Sequence, residues 1–252
     1  MAYNPLVLPP LVKGSLQIGK LILLQKQIAC KLVLKDVIPL DSIRFVCGLD
    51  AAYSRIYKGV AVATLIDIHN RKLIDANVAL GTPPLQYIPG LLAFREAPIF
   101  YTALRPLLHQ CQVVVVDGHG ISHPRKAGIA THIGMAIKKP TIGVAKSKLA
   151  GTIKVVDGEK YVELQGQLVA KVLVHRNNEL YVSPGAYITL SSAVKIIERL
   201  LEPDKSLPLP TYYADTLSKM LARKLDKRVI EPKTLKQHKL MDILRRTELL
   251  LI

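Results

Sequence analysis

Two aspartates stand where strongly apolar segments end. Asp117 closes the run QVVVVD (112–117), and Asp50 closes IRFVCGLD (43–50). The carboxyl ends of parallel strands meet at one edge of an α/β sheet, so we expect the two carboxylates to lie together there. Carboxylates held side by side repel each other unless a cation joins them or one is protonated. Mg²⁺ is the natural cation because it binds both carboxylate and phosphate oxygens, although each aspartate alone also fits a turn or a helix cap.

The residues that follow Asp117, GHGISHPRK, suit contact with an anion. Glycine lets the backbone approach a ligand closely. The pattern predicts a helix over 124–139 that begins at Pro124 with Arg125 and Lys126 in its first turn. The free N–H groups of such a helix start form an anion site.

Three histidines, His119, His123 and His132, lie in or just after this stretch. Their spacing matches no usual zinc-ligand pattern and no cysteine accompanies them, so we do not favour a zinc site. A base, a phosphate contact or an orienting hydrogen bond fits each of them better. A position on a helix surface is an alternative for His132.

The composition indicates a folded protein with an anionic partner. The 252 residues include 35 Lys and Arg against 19 Asp and Glu, a formal charge of +16, which favours nucleic acid or another anionic surface. A generally basic protein without such a partner is the alternative. Three separated cysteines with no CxxC pair fit a reducing compartment. No apolar run reaches the roughly 18 residues of a membrane span, so we expect a soluble, cytoplasmic protein.

The periodicity of apolar residues predicts one mixed α/β domain. Predicted strands cover 43–50, 59–67 and 73–80 as an antiparallel meander, then 112–117 and 141–146. Two hairpins are predicted within 152–183, with turns at Asp157-Gly158 and Asn177-Asn178. Predicted helices cover 15–35, 97–110, 124–139, 191–201 and 212–225, and Pro98 suits the first turn of the second of these.

Six segments resemble the endonuclease V family in the same order along the chain. They are VCGLDAAYS (46–54), YIPGLLAFREAP (87–98), DGHGISHPRKAGIATHIG (117–134), GVAKSKL (143–149), VSPGAYITLSSA (182–193) and LPTYYAD (209–215). The resemblance covers roughly residues 15–225, which predicts a catalytic domain over 1–225 and a basic C-terminal extension over 226–252. It implies a fold similar to ribonuclease H, with a mixed β-sheet flanked by helices.

The resemblance implies a metal-dependent DNA repair endonuclease that recognises deoxyinosine. It would hydrolyse the second phosphodiester bond 3′ to the lesion and leave 3′-hydroxyl and 5′-phosphate ends. Asp50, Glu96 and Asp117 would bind Mg²⁺, with Mn²⁺ able to replace it. Asp215 matches a fourth acidic position, and Lys146 matches the active-site lysine, which completes the expected catalytic set.

The resemblance also implies a device for base recognition. Tyr87, Ile88 and Pro89 form the expected wedge, which fills the gap left when a base leaves the stack. The expected pocket for the flipped hypoxanthine comprises Gly90, Leu92, Gly118, Gly128 and Gly143. The expected phosphate contacts are His123, Arg125 and His132.

Several positions depart from the family pattern. Gln86 replaces the proline before the wedge, Ala186-Tyr187 replaces His-Arg, and Tyr212 replaces an arginine. A lesion-binding protein with little cleavage is therefore an alternative. An inosine-specific endoribonuclease is another, because the resemblance extends to family members that act on inosine in RNA. We expect a monomer with no membrane partner. The basic tail fits a helix along DNA phosphates or a docking face that ends in LLLI.

Overall fold

We describe a computed structural model of the chain, which covers residues 15–55, 59–237 and 240–241. The strands are β1 (Phe45–Ala52), β2 (Gly59–Asp67), β3 (Lys72–Gly81), β4 (Val113–Asp117), β5 (Thr141–Ala145), β6 (Thr152–Val156), β7 (Glu159–Leu164), β8 (Gln167–His175) and β9 (Asn178–Ala186). The α-helices are α1 (Ser15–Cys30), α2 (Leu92–Leu104), α3 (Ile129–Ile137), α4 (Leu190–Leu200), α5 (Leu209–Asp226) and α6 (Pro232–Gln237). Short 3₁₀ helices cover Leu40–Ser42 and Arg105–Leu107.

The strands form a single sheet in the order β3-β2-β1-β4-β5-β9-β8-β7-β6. The pairs β1–β4 and β4–β5 are parallel, whereas β2 is antiparallel to both β1 and β3. The predicted meander is therefore confirmed. The order 3-2-1-4-5 with only the second strand reversed is that of a ribonuclease H-like fold, as the resemblance implied. Strands β6–β9 extend this sheet by antiparallel pairing.

The run VVVV in β4 is buried because it supplies the core on both faces of the sheet. Val114 and Val116 pack with Phe100 of α2. Val113 and Val115 pack on the opposite side in the core that includes residues of α4 and α5. Successive side chains of a strand point to opposite faces, so a strand between two helical layers is apolar throughout.

Two predicted helix starts are wrong by five residues each, and helix α5 begins at Leu209, three residues before its predicted start. Helix α2 begins at Leu92, not at residue 97, and Pro98 lies inside it. Burial of Phe94 and Phe100 keeps the segment helical although Pro98 donates no backbone hydrogen bond. Helix α3 begins at Ile129, not at Pro124, because Lys126 has a left-handed φ of 52°. The anion site predicted at a helix start beside Pro124 is therefore absent from this loop.

The other differences lie at element ends. Helix α1 ends at Cys30, five residues before the predicted end. Strands β6–β9 form three hairpins, of which the turn at Asp157-Gly158 is confirmed. The turn predicted at 177–178 lies at Arg176-Asn177, and the turn at Gln165-Gly166 was missed because glutamine rarely adopts a left-handed conformation.

The start of the basic extension takes part in the core. Ile230, Leu235, Leu240 and Met241 are buried against side chains of β2, β3 and α5. The predicted boundary at 225 therefore falls within a packed region, while the end of the extension, including LLLI, lies outside the described residues. Within the described part of the chain, no helix combines the length and apolar character of a membrane span.

Candidate active site

Two neighbouring parallel strands and one helix bring three carboxylates together. Leu49 of β1 lies opposite Val116 of β4, so Asp50 and Asp117, the next residues, emerge at the same edge of the sheet. Asp50, Asp117 and Asp215 each offer an oxygen within 4.8 Å of the others. The structure thus brings together the two aspartates expected from the strand pattern and the one carried over from the LPTYYAD segment.

Helix α5 reaches this edge through a close contact with β1. A Cβ on Gly48 would lie 2.1 Å from the Pro210 carbonyl oxygen, so only glycine lets the first turn of α5 sit here. Thr64 of β2 donates a hydrogen bond of 2.8 Å to the same carbonyl. The contact fixes the height of α5 on the sheet and hence the position of Asp215, one turn further along.

Cationic and hydroxyl groups surround the three carboxylates. The Lys146 Nζ lies 2.6 Å from Asp117 Oδ2 and 3.2 Å from Asp215 Oδ1. Lys219 donates to both oxygens of Asp215 at 2.7 Å, four residues along α5. The Ser218 hydroxyl donates to Asp50 Oδ2 at 2.7 Å. Lys146, which directly follows β5, therefore stands between two carboxylates.

The electrostatics of the cluster reflect its crowding. Burial, and then the charge of Asp117, raise the pKa of Asp50 to about 6, although the Ser218 hydrogen bond opposes the shift. Burial lowers the pKa of Lys146, but Asp117 and Asp215 outweigh it and raise the pKa above its ordinary value. The folded chain therefore holds negative charge here at an energetic cost that a bound cation would relieve.

Glu96 lies beside this group rather than in it. It is 9% exposed on α2, and the Tyr53 hydroxyl donates to its Oε1 at 2.6 Å. Burial raises its pKa to about 7, the Tyr53 hydrogen bond opposes that rise, and the charges of Asp50 and Asp117 add to it. Arg95 in turn donates to the Tyr53 oxygen at 3.0 Å. Glu96 is thus close enough to feel the cluster and is held by a specific partner.

The donor set fits a hard divalent cation. All the clustered ligand atoms are carboxylate oxygens, which Mg²⁺ and Mn²⁺ prefer, and His or Cys ligands typical of zinc are absent from the group. Such a cation would offset the repulsion between the carboxylates, which contributes to the raised pKa of Asp50. The residues present are therefore suited to hold the metal that the resemblance implied.

A cavity of about 310 Å³ opens beside the carboxylates. Four of the five expected pocket residues line it: Gly90, Leu92, Gly118 and Gly128. Asp117 and Lys146 line it as well, so the cavity and the carboxylate cluster share a wall. Gly143 lies behind that wall, where a Cβ would come within 2.5 Å of the Gly118 carbonyl oxygen.

The expected wedge differs along its length. The Tyr87 side chain is 65% exposed and lines the cavity. Ile88 is partly buried against a cluster that contains Leu21 and Phe94, so it anchors the loop instead of projecting from it. Pro89, the next residue before Gly90, is exposed. Of these three residues, Tyr87 is the one that lines the cavity.

Three donors converge on the Gly90 carbonyl oxygen that ends the wedge loop. Gln25 Nε2 lies at 2.9 Å, His123 Nε2 at 3.0 Å and Arg125 NH2 at 2.8 Å. Arg125 Nε also donates to Gln25 Oε1 at 2.6 Å, and Gln25 Nε2 contacts the Ala127 carbonyl at 3.2 Å. We call this group the Gly90 clamp; it ties α1, the wedge loop and the loop before α3 together.

The clamp changes the interpretation of His123 and Arg125, which were expected to contact phosphate. His123 Nδ1 accepts the Arg125 backbone N–H, so its Nε2 carries the proton given to Gly90. Burial, together with the Arg125 charge, lowers the pKa of His123 to about 4 although the Gly90 bond opposes it. His123 is therefore neutral near pH 7. The Arg125 guanidinium donates its hydrogen bonds to Gln25 and to the Gly90 carbonyl.

The phosphate contact predicted for His132 does not fit the structure, nor does a surface position. The ring is 2% exposed inside α3 and meets the Phe94 ring edge-on at 4.9 Å between centroids. Burial lowers its pKa to about 3. His132 is a neutral core residue.

Sequence reasoning missed Gln25, Tyr53 and Ser218. Gln25 gave a usable signal, because it stands between Leu21 and Ile28 on the apolar stripe of α1 and is fully buried. A polar residue on a buried stripe needs partners. Tyr53 and Ser218 gave none, because their bonds to Glu96 and Asp50 depend on contacts across the fold.

The topology and the acidic cluster together define the chain as a nuclease of the ribonuclease H-like class. The sequence profile of the family described as Endonuclease V matches residues 26–216. The chain belongs to the endonuclease V family. A relative from Desulfurococcus amylolyticus, "Endonuclease V", is 44% identical over 180 residues, which cover 70% of this chain and 81% of the relative.

Solved structures agree with this family. The Bacillus subtilis endonuclease V structure has a TM-score of 0.79 at 26% identity and covers 90% of this chain and 98% of its own. The structure of Ciona intestinalis endonuclease V in complex with a 24mer DNA that contains an inosine followed by a ribo-adenosine has a TM-score of 0.74. The Ciona intestinalis protein is 24% identical to this chain, and the match covers 84% of this chain and all of the other. This likeness supports the fold alone.

The raised pKa of Asp50 predicts that Asp50→Asn stabilises the metal-free protein. Asp50 has a folded pKa of about 6 against an ordinary value of 3.8, so its ionised form destabilises the fold above pH 6. In EDTA at pH 8 the free energy of unfolding should rise by up to roughly 3 kcal/mol. The gain should shrink as the pH falls below 6 and vanish well below the unfolded pKa of 3.8, where the carboxyl is protonated in both the folded and the unfolded chain. Denaturant unfolding across this pH range measures it.

Asp67→Asn is the matched control with the opposite sign. Hydrogen bonds from Arg44 lower the pKa of Asp67 to about 2, so loss of this carboxylate should destabilise the protein at pH 8. A less stable Asp50→Asn variant at pH 8 in EDTA would contradict the electrostatic account of the cluster.

The Gly90 clamp predicts that Gln25→Leu destabilises the protein. Leucine fills a similar volume but removes the hydrogen bonds that Gln25 makes with the Ala127 carbonyl and with Arg125 Nε, and the Arg125 guanidinium keeps its bond to Gly90. The expected loss is about 1–3 kcal/mol in the free energy of unfolding. Gln27→Leu, on the exposed side of the same helix, should change it by less than about 0.5 kcal/mol. Equal effects in both variants would show that the clamp contributes nothing.

Proposed function

We propose that the protein is a DNA repair endonuclease that cuts strands containing deoxyinosine. It hydrolyses the second phosphodiester bond 3′ to the lesion and leaves 3′-hydroxyl and 5′-phosphate ends. The observation that carries the proposal is that the cavity lies directly against the carboxylate cluster. Asp117 of the cluster and Lys146, its hydrogen-bond partner, both line the cavity. A base held in this cavity keeps the neighbouring phosphates of its strand close to the carboxylates.

In this proposal the acidic residues bind the metal ion and Lys146 contacts the phosphate. Asp50, Asp117 and Glu96 would hold Mg²⁺, and Asp215, which has a carboxylate oxygen within 4.8 Å of those of Asp50 and Asp117, would complete the set of acids around it. When bound there, Mg²⁺ would supply Lewis-acid chemistry for the scissile phosphate and for activation of the attacking water. Hydrolysis gives the hydroxyl of water to the 5′-phosphate and a proton to the departing 3′ oxygen. Lys146, already fixed by Asp117 and Asp215, donates a hydrogen bond to the phosphate or to that departing oxygen.

Base recognition is assigned to Tyr87 and the glycine-lined cavity. Extrusion of a nucleotide costs a few kcal/mol, which an inserted side chain offsets. Tyr87 is exposed at the cavity, and the Gly90 clamp holds the end of its loop. A rigid loop loses less conformational entropy when it inserts. Gly90, Gly118 and Gly128 line a space in which a flipped hypoxanthine can lie close to the backbone.

Inosine in RNA is the second candidate substrate. The inosine in the Ciona intestinalis complex is followed by a ribo-adenosine, so that relative accommodates a 2′-hydroxyl next to the base. A lesion-binding role with little cleavage is disfavoured because all four expected acidic residues are present and three of them form the carboxylate cluster. We place the active protein in the cytoplasm as a monomer.

The test uses one end-labelled DNA strand with a single deoxyinosine opposite thymine. We expect a product that ends one nucleotide beyond the inosine with Mg²⁺, and none with EDTA or with adenine at that position. Asp117→Ala should lower the cleavage rate by at least about 10²-fold while binding to the strand persists. Unchanged cleavage in Asp117→Ala would overturn the assignment of the site.

Two comparisons refine the same assay. Tyr87→Ala should reduce cleavage more on duplex than on single-stranded substrate, because only the duplex has a stack to fill. An equal loss on both would remove the wedge role. Parallel rates on deoxyribo- and ribo-inosine strands decide between the two substrates, and tight binding without any product would establish the lesion-binding role instead.

A further inference from the structure

A basic groove runs along α5 away from the carboxylate cluster. It has a volume of about 560 Å³ and begins at Asp215. Its cations are Lys219, Arg223, Lys224 and Lys227. We call it the α5 groove. It lies outside the cavity assigned to the base and shares no lining residue with it.

The cations recur at helical spacing. Asp215, Lys219, Arg223 and Lys227 follow one another at every fourth residue, which places them about 6 Å apart along the helix axis. The row therefore extends over about 18 Å from the carboxylates. This length covers several successive phosphates of a nucleic-acid strand, whose rise is about 3.4 Å per nucleotide in a duplex.

The far half of the groove carries positive charge that the described residues do not neutralise. Lys219 is paired with Asp215. Within 15–55, 59–237 and 240–241, Arg223, Lys224 and Lys227 take part in no ion pair. The remaining acid of this stretch, Asp226, instead accepts hydrogen bonds from Ser54 and the Arg55 backbone and does not line the groove.

The carboxylate cluster separates the two concave surfaces. Asp117 lines the base cavity and Asp215 lines the α5 groove, while their oxygens lie within 4.8 Å of each other. A strand with its base in the cavity and its scissile phosphate at the cluster can therefore continue into the groove. Under the proposed function the cut lies 3′ to the base, which sets the direction of that continuation.

We propose that the α5 groove binds the phosphate backbone of the strand on the 3′ side of the cut. Arg223, Lys224 and Lys227 contact successive phosphates and release their counterions. The groove reads charge and not sequence, since phosphate contacts carry no base information. This inference rests on the proposed function for its direction, whereas the affinity of the groove for a strand does not depend on it.

The experiment combines a groove variant with substrates of different length. Arg223→Gln/Lys227→Gln is compared with the parent protein on single strands that contain one deoxyinosine. In one strand the 3′ arm continues for about 12 nucleotides, and in the other it stops shortly after the cut. On the long arm kcat/KM should fall roughly tenfold with kcat preserved. On the strand with the short 3′ arm, the kcat/KM of the parent protein should fall to that of the variant.

Salt dependence and a matched lysine control complete the test. The slope of log(kcat/KM) against log[salt] should become shallower by about 1.4 in the double variant, which loses two phosphate contacts. Lys227→Gln is compared singly with Lys195→Gln, an exposed lysine on α4 without an ion pair among the described residues. Lys195→Gln should behave as the parent protein.

Each outcome decides one of the two claims. An equal loss on long and short 3′ arms, or a loss that follows the length of the 5′ arm, overturns the groove assignment. If the parent protein cuts no inosine strand, the proposed function fails, and fluorescence anisotropy with an unmodified strand then tests the groove alone. A shallower salt slope of binding in the double variant supports it, and an unchanged slope refutes it.

Discussion

The repulsion between carboxylates at one edge of the sheet is the constraint on which this structure depends. Asp50 and Asp117 emerge side by side because β1 and β4 are parallel neighbours, and Asp215 is brought to them by α5. Burial and mutual charge raise the pKa of Asp50 to about 6, so the fold pays in stability to keep the group together. A cation or a cationic side chain must offset this cost, and Lys146 already offsets part of it at 2.6 Å from Asp117.

The surrounding architecture serves to hold this edge in place. The glycine at position 48 lets α5 lie against β1, which sets the height of Asp215 on the sheet. The Gly90 clamp fixes the wedge loop on the other side, so that Tyr87 and the cavity lie next to Asp117. The cavity, the carboxylates and the α5 groove thus follow one another across the surface.

The sequence predicts the features that depend on local patterns. The central strands and the pairing of Asp50 with Asp117 followed from apolar runs that end in a carboxylate. The start of α3 did not, because Lys126 and Gly128 break the helical pattern through backbone conformation. Glu96 and Asp215 came only from the family resemblance, since a single acid on a helix gives no local signal. His123 and Arg125 were assigned to phosphate because their convergence on one carbonyl depends on residues far apart in the chain.

The most direct test of the central claim is a calorimetric titration of the protein with Mg²⁺ in the absence of nucleic acid. The account predicts saturable binding at pH 8, weaker binding at pH 5 as Asp50 becomes protonated, and loss of binding in Asp117→Asn. Asp67→Asn, which changes a carboxylate far from the cluster, should bind as the parent protein does. Binding that is unchanged in Asp117→Asn, or that is absent from the parent protein at pH 8, would contradict the account.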